Sequence, residues 1–86
     1  MKQTRVLTQT LLTEATKLGL PQQDVKDAVE MLEHAEYGLC FDIIVTQLYE
    51  FDIQITEEFL VLIEQTAACL GMPQEEYAFV RELVRA

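Results

Sequence analysis

The scarcity of turn-forming residues constrains this chain more than any other feature. Its 86 residues include three glycines, two prolines and no serine, asparagine or tryptophan. Gly, Pro, Asn, Asp and Ser each supply a backbone state or a local hydrogen bond that reverses a chain. With so few of them only a handful of connections can form, so most residues must sit in regular elements joined by short loops. Half the residues are hydrophobic, which argues against intrinsic disorder despite a net charge of −9. A chain of this length forms one domain, residues 1–86, that buries roughly 60% of its unfolded surface. The expected fold is all-α, a compact bundle of about five short helices.

Apolar spacing places the helices. Leu7, Leu11, Ala15 and Leu18 keep one face of a first helix apolar from about Thr4 to Leu18. Gly19 supplies a left-handed residue after it, Leu20 folds back on the last turn, and Pro21 opens the next helix. That second helix, to about Ala35, buries Val25, Ala28, Val29 and Leu32, with Met31 at the margin. Gly38 marks the next break. A third helix follows over about Leu39–Phe51, then an extended elbow, Asp52-Ile53-Gln54-Ile55-Thr56. Thr56 is an N-cap for a fourth helix, with Glu57 and Glu58 in its dipole-favoured first turn and Ile55 and Leu60 spaced as a hydrophobic staple. The fourth helix buries Phe59, Leu62, Ile63, Ala67 and Leu70. Gly71-Met72-Pro73 repeats the stop-start punctuation of Gly19-Leu20-Pro21 before a fifth helix, Pro73 to about Arg85, that buries Tyr77, Val80, Leu83 and Val84.

The stretch Glu36–Phe59 is apolar on two sides. Phe41, Ile44, Val45 and Leu48 share one helical face, while Leu39 and Ile43 fall nearly opposite. Such a helix is central, or offers one side to a partner. Leu39 and Ile43 therefore belong either to the core or to a contact surface.

Charge is unevenly distributed. Lys2, Arg5, Lys17, Lys26, Arg81 and Arg85 all lie outside positions 27–80, an interval with twelve carboxylates and no Lys or Arg. A surface made only for solubility mixes its signs. This one repels nucleic acid and anionic membranes and favours encounter with a basic partner. Tyr37 and Tyr49 stand among the carboxylates, as interface anchors or as partly buried supports.

Catalytic chemistry is poorly represented. The absence of serine excludes serine nucleophiles. His34 is the sole histidine, and with only Cys40 nearby it completes no zinc set. Adjacent Glu57/Glu58 and Glu75/Glu76 diverge around a helix and suit dipole capping better than shared-proton catalysis. No calcium or phosphate-binding loop occurs. We therefore expect no enzyme activity, no cofactor and no metal. Cys40 and Cys69 are expected to be reduced core thiols, and the N-terminus lacks the apolar run of a signal peptide, so a cytoplasmic location is expected.

Leu32-Glu33-His34-Ala35-Glu36-Tyr37-Gly38-Leu39-Cys40-Phe41, together with Gln47-Leu48-Tyr49-Glu50-Phe51-Asp52-Ile53-Gln54-Ile55-Thr56-Glu57-Glu58-Phe59 and Gly71-Met72, resembles the MafI-like immunity proteins. These are small bacterial antidotes encoded beside polymorphic or contact-dependent-inhibition toxins. The pattern is E-[YW]-G-L, then an apolar helix ending L-Y-E-[FY]-D-I-x-I-[ST]-E-E. Cys40 departs from the usual alanine and Gln54 from the frequent proline. The resemblance implies an inhibitor that binds its cognate toxin's C-terminal nuclease domain, EndoU-type ribonucleases being among the family's partners. Repulsion at a net charge of −9 argues against tight self-association, so a monomer in a one-to-one complex is expected. The contact pool expected from the acidic band is Glu33, Glu36, Tyr37, Asp42, Tyr49, Glu50, Asp52, Glu57 and Glu58. The alternative is an acidic helical adaptor or regulatory domain that binds a basic protein segment.

Overall fold

Four α-helices and two 3₁₀ turns carry the described residues: α1 Lys2–Leu18, α2 Gln22–Glu33, α3 Tyr37–Glu50, α4 Glu57–Leu70, then Gln74–Glu76 and Ala78–Leu83. The computed structural model describes residues 2–85, the side chain of Lys2 excepted; Met1 and Ala86 of the expected domain lie outside the described residues. The fold is the all-α bundle expected, with one isolated parallel bridge between Ile55 and Val84. Its Cα radius of gyration, 11.5 Å, is close to the ~12 Å of a tightly packed chain of this length.

Each α-helix ends in the same way. The amides of Leu20, Glu36, Ile53 and Met72 donate to carbonyls five residues back, at Ala15, Met31, Leu48 and Ala67. Gly19, Ala35, Asp52 and Gly71 precede them in the left-handed region, at φ +109°, +59°, +51° and +71°. This paired closure satisfies carbonyls that a helix end leaves without partners. Glycine was legible as the stop signal at two ends. At the other two an alanine and an aspartate take the role. Consequently Gly38 is not the break expected of it: it lies in the first turn of α3, where a Cβ would meet only Met72 Cε at 3.6 Å.

Aspartate tolerates the left-handed region, whereas alanine's Cβ is crowded there. Ala35→Gly is therefore expected to stabilise the fold by about 0.5–1 kcal/mol, seen as a higher urea midpoint. Gly71→Ala should cost a similar amount, because no atom lies within 4 Å of the added Cβ and only the backbone conformation is penalised.

α3 is the centre of the bundle, packing against α1, α2, α4 and the final 3₁₀ turn. Cys40, Phe41, Ile44, Val45 and Leu48 are buried on it, which places the expected face inside. The Phe41 ring meets Tyr77 edge-on, with centroids 5.9 Å apart. Leu11, Ala15, Ala28, Leu32, Phe59, Ile63 and Ala67 complete the core from the other helices, and Ile55 and Leu60, the staple pair, are both buried. Leu18 and Val29, expected in the core, are instead exposed at the edges of surface depressions. Leu7, Val25, Leu62 and Leu70 are only partly buried. Thr8 and Thr66 can be fully buried because their hydroxyls donate to the carbonyls of Thr4 and Leu62, each at 2.7 Å, so neither hydroxyl is stranded.

The final segment differs from the α-helix expected over Pro73–Arg85. Its amides bond three residues back, Tyr77 to Gln74, Val80 to Tyr77 and Val84 to Arg81. Tyr77, Val80 and Leu83, the buried residues here, recur every third position, which a threefold 3₁₀ winding holds on one line and a 3.6-residue helix does not. Val84 then leaves the turn extended, and the Ile55 amide donates to Leu83 O at 2.9 Å. The Thr56 cap forms as expected, its hydroxyl accepting from the Phe59 amide at 3.0 Å.

Candidate partner-binding surface

The solvent side of α3 carries Leu39, Asp42, Ile43, Thr46, Tyr49 and Glu50, spaced at three and four residues so that they form one stripe. Leu39 is 51% exposed and Tyr49 42% exposed, whereas Ile43 is half-buried. The two apolar residues left open by sequence thus separate: Leu39 is surface, and Ile43 is the floor beside it.

Packing of α2 on α3 adds a second row of acid. Asp24, Asp27, Asp42, Ile43, Thr46 and Gln47 line an open furrow of about 380 Å³. Gln47 Nε2 donates to Asp24 at 3.0 Å and Gln23 Nε2 donates to Asp27 at 3.1 Å. Neutral amides orient these carboxylates without cancelling their charge. Among the described residues Asp42 and Glu50 are in no ion pair either.

The remaining candidates occupy other places. Glu33 lies on the opposite side of α2, in a groove against α1 with Arg5, Val29 and Leu32. Glu36 precedes α3 without capping it, and Tyr37 is half-buried against the core. Glu57 and Glu58 are exposed in the first turn of α4, and Glu58 borders a depression that also contains Lys17. The nine residues therefore do not form one face. Asp42, Tyr49 and Glu50 share the α3 stripe, and Asp24 and Asp27, which the sequence reasoning passed over, join them through the fold.

Tyr49 and Asp52 lean on the final segment. The Tyr49 hydroxyl donates to Glu82 at 3.2 Å, and its ring meets Phe79 edge-on at 5.1 Å. That hydrogen bond, followed by the nearby Glu82 charge, raises the phenol's pKa. Asp52 pairs with Arg85, whose guanidinium pKa is raised by the contact. Asp52 thus already has a cation within the chain, so it offers a partner less than Asp42 does.

The two thiols part company. Cys40 is fully buried and its thiol is pushed up to about 11 by desolvation, while Cys69, expected in the core, is exposed on α4. Cys69 lies two turns after half-buried Leu62, just beyond the margin of the buried face made by Phe59, Leu60, Ile63, Thr66 and Ala67. In native protein at pH 8 a thiol-reactive dye should label one cysteine rapidly, with the second appearing only in denaturant. His34 ends α2, its Nδ1 2.8 Å from Glu30 O. Among the described residues no group of three or more His, Cys, Asp or Glu is placed to hold a metal ion, and no helix is long and apolar enough to cross a membrane.

No family profile, curated protein or solved structure matches the chain.

Proposed function

We propose that this protein is an immunity-type inhibitor, similar to the MafI-like proteins, that binds and neutralises the nuclease domain of a cognate bacterial toxin in the cytoplasm. The observation that carries the reading is the α3 stripe with its furrow. Asp24, Asp27, Asp42 and Glu50 stand there beside exposed Leu39 and Tyr49, and no ion pair among the described residues neutralises them. A nuclease that grips RNA does so through a basic cleft. An acidic surface of this kind offers counter-charge in place of phosphates, and its apolar and tyrosine contacts then slow dissociation. The inhibitor acts by occlusion, one monomer per toxin domain, with no catalysis or cofactor of its own.

The test is an RNA-cleavage assay with the nuclease domain encoded by the neighbouring gene. Cleavage is expected to stop at an equimolar amount of inhibitor, and the complex should no longer bind a short RNA. A complex that still binds RNA would establish inhibition from outside the cleft. Binding to a basic segment with cleavage untouched would instead make the protein an adaptor.

A further inference from the structure

Among the depressions on the described surface, the one between α1 and α2 is bordered by Arg5 and Lys17, and the one between α1 and α4 by Lys17. The α2–α3 furrow has three aspartates and no cation in its lining. It also continues into apolar surface, because Leu39 and Ile43 are one turn apart on α3 and Leu39 is half exposed.

We infer that this furrow and the adjoining Leu39–Ile43 strip dock a basic amphipathic segment of a partner protein. One apolar side chain of that segment covers Leu39 and Ile43, and one lysine or arginine enters among Asp24, Asp27 and Asp42. The inference rests on the inhibitor reading for the partner's identity, but its chemistry comes from the furrow.

Each part of the surface sets a requirement. A lysine or arginine has an aliphatic stem that lies on apolar surface while its head stays with polar groups. Ile43 at the floor and carboxylates at the rim match that division. The amide bonds from Gln47 and Gln23 hold Asp24 and Asp27 in place before binding, which lowers the ordering cost. Their remaining lone pairs stay available to a cation. A volume of about 380 Å³ admits a long side chain and leaves no room for a folded element, so the partner's backbone runs along the rim. Leu39 supplies apolar area that a purely polycationic ligand would not use. A second copy of this chain brings another charge of −9 and is repelled.

The experiment titrates ¹⁵N-labelled full-length protein with a synthetic helical peptide of lysine and leucine, and with a scrambled peptide of the same composition. Amide shifts are expected at Asp24, Asp27, Leu39, Asp42, Ile43, Thr46 and Gln47, and the scrambled peptide should bind more weakly. Leu39→Gln should weaken the helical peptide roughly fivefold and Asp42→Asn roughly threefold. Glu57→Gln with Glu58→Gln should leave its affinity unchanged. Both weakening substitutions fall on exposed positions, so unchanged amide dispersion checks the fold. Equal affinity for the scrambled peptide overturns the proposal, as do shifts centred on α4 or on the α1–α2 groove. So does the same shift pattern from calcium chloride alone, or from raising the protein concentration. The peptide readout needs no toxin. Failure of nuclease inhibition with docking intact would reject the inhibitor reading alone, while inhibition without docking would reject only this surface.

Discussion

Phe41→Ala is expected to remove most of the stability of this protein. Phe41 is fully buried in the second turn of α3, the helix that packs against the other three and the final segment. Truncating such a ring costs about 3–5 kcal/mol, the transfer term plus the cavity left behind. A domain of this size has roughly 4–13 kcal/mol in total. The Tyr77 ring, which meets Phe41 edge-on, would lose its partner, leaving Val80, Leu83 and the Ile55 amide bond to hold its segment. The melting temperature should fall by roughly 15–30 °C, read by circular dichroism. Phe41→Leu keeps most of the volume and should cost about 1–2 kcal/mol. A loss below 2 kcal/mol for the alanine variant would mean that the bundle collapses around the gap, and α3 would not be its mechanical centre.

Charge reversal on the solvent side of the same helix should leave stability alone and change binding. Asp42→Lys with Glu50→Lys moves the net charge from −9 to −5 at two exposed positions. If the stripe meets a basic nuclease cleft, association should slow by about tenfold to several hundredfold at low ionic strength. The gap to wild type should narrow as salt shortens the Debye length from ~10 Å at 0.1 M to ~3 Å at 1 M. Protection from the toxin should weaken in parallel, with the helical spectrum unaltered. Glu75→Lys with Glu76→Lys, outside the furrow, makes the same change in net charge and serves as control. Stopped-flow association rates that fall equally for both pairs would assign the effect to overall charge and remove the stripe from the mechanism.

The fold was largely legible because its signals are local. Apolar spacing and capping chemistry placed four helices within a few residues, and Thr56 caps α4 as its side chain suggested. Among the features that escaped, two have a clear physical cause. Ala35 takes a left-handed turn that glycine usually marks, since the closing hydrogen bonds outweigh the strain at one residue. The final segment winds as 3₁₀ because Tyr77, Val80 and Leu83 must all reach the core, a demand set by neighbours distant in sequence. The candidate surface was less legible for the same reason. Carboxylate density is visible in sequence, but the approach of Asp24 and Asp27 to Asp42 depends on how α2 lies against α3. Likewise the pairing of Asp52 with Arg85 joins residues 33 apart. Leu39 and Ile43 could be sorted only once both sides of α3 were occupied.

The single amide of Ile55 has an experimental use. Its bond to Leu83 O ties the elbow before α4 to the last turn of the chain, and Ile55 is almost wholly shielded from solvent. For that proton to exchange with deuterium, the closing segment has to lift away and expose the residues beneath it. Its exchange rate therefore times the detachment of the chain's last element from the other helices. Comparing it with the amides of Ile44 and Leu48 in α3 would show whether the closing segment comes off as a separate unit or only when the whole molecule opens.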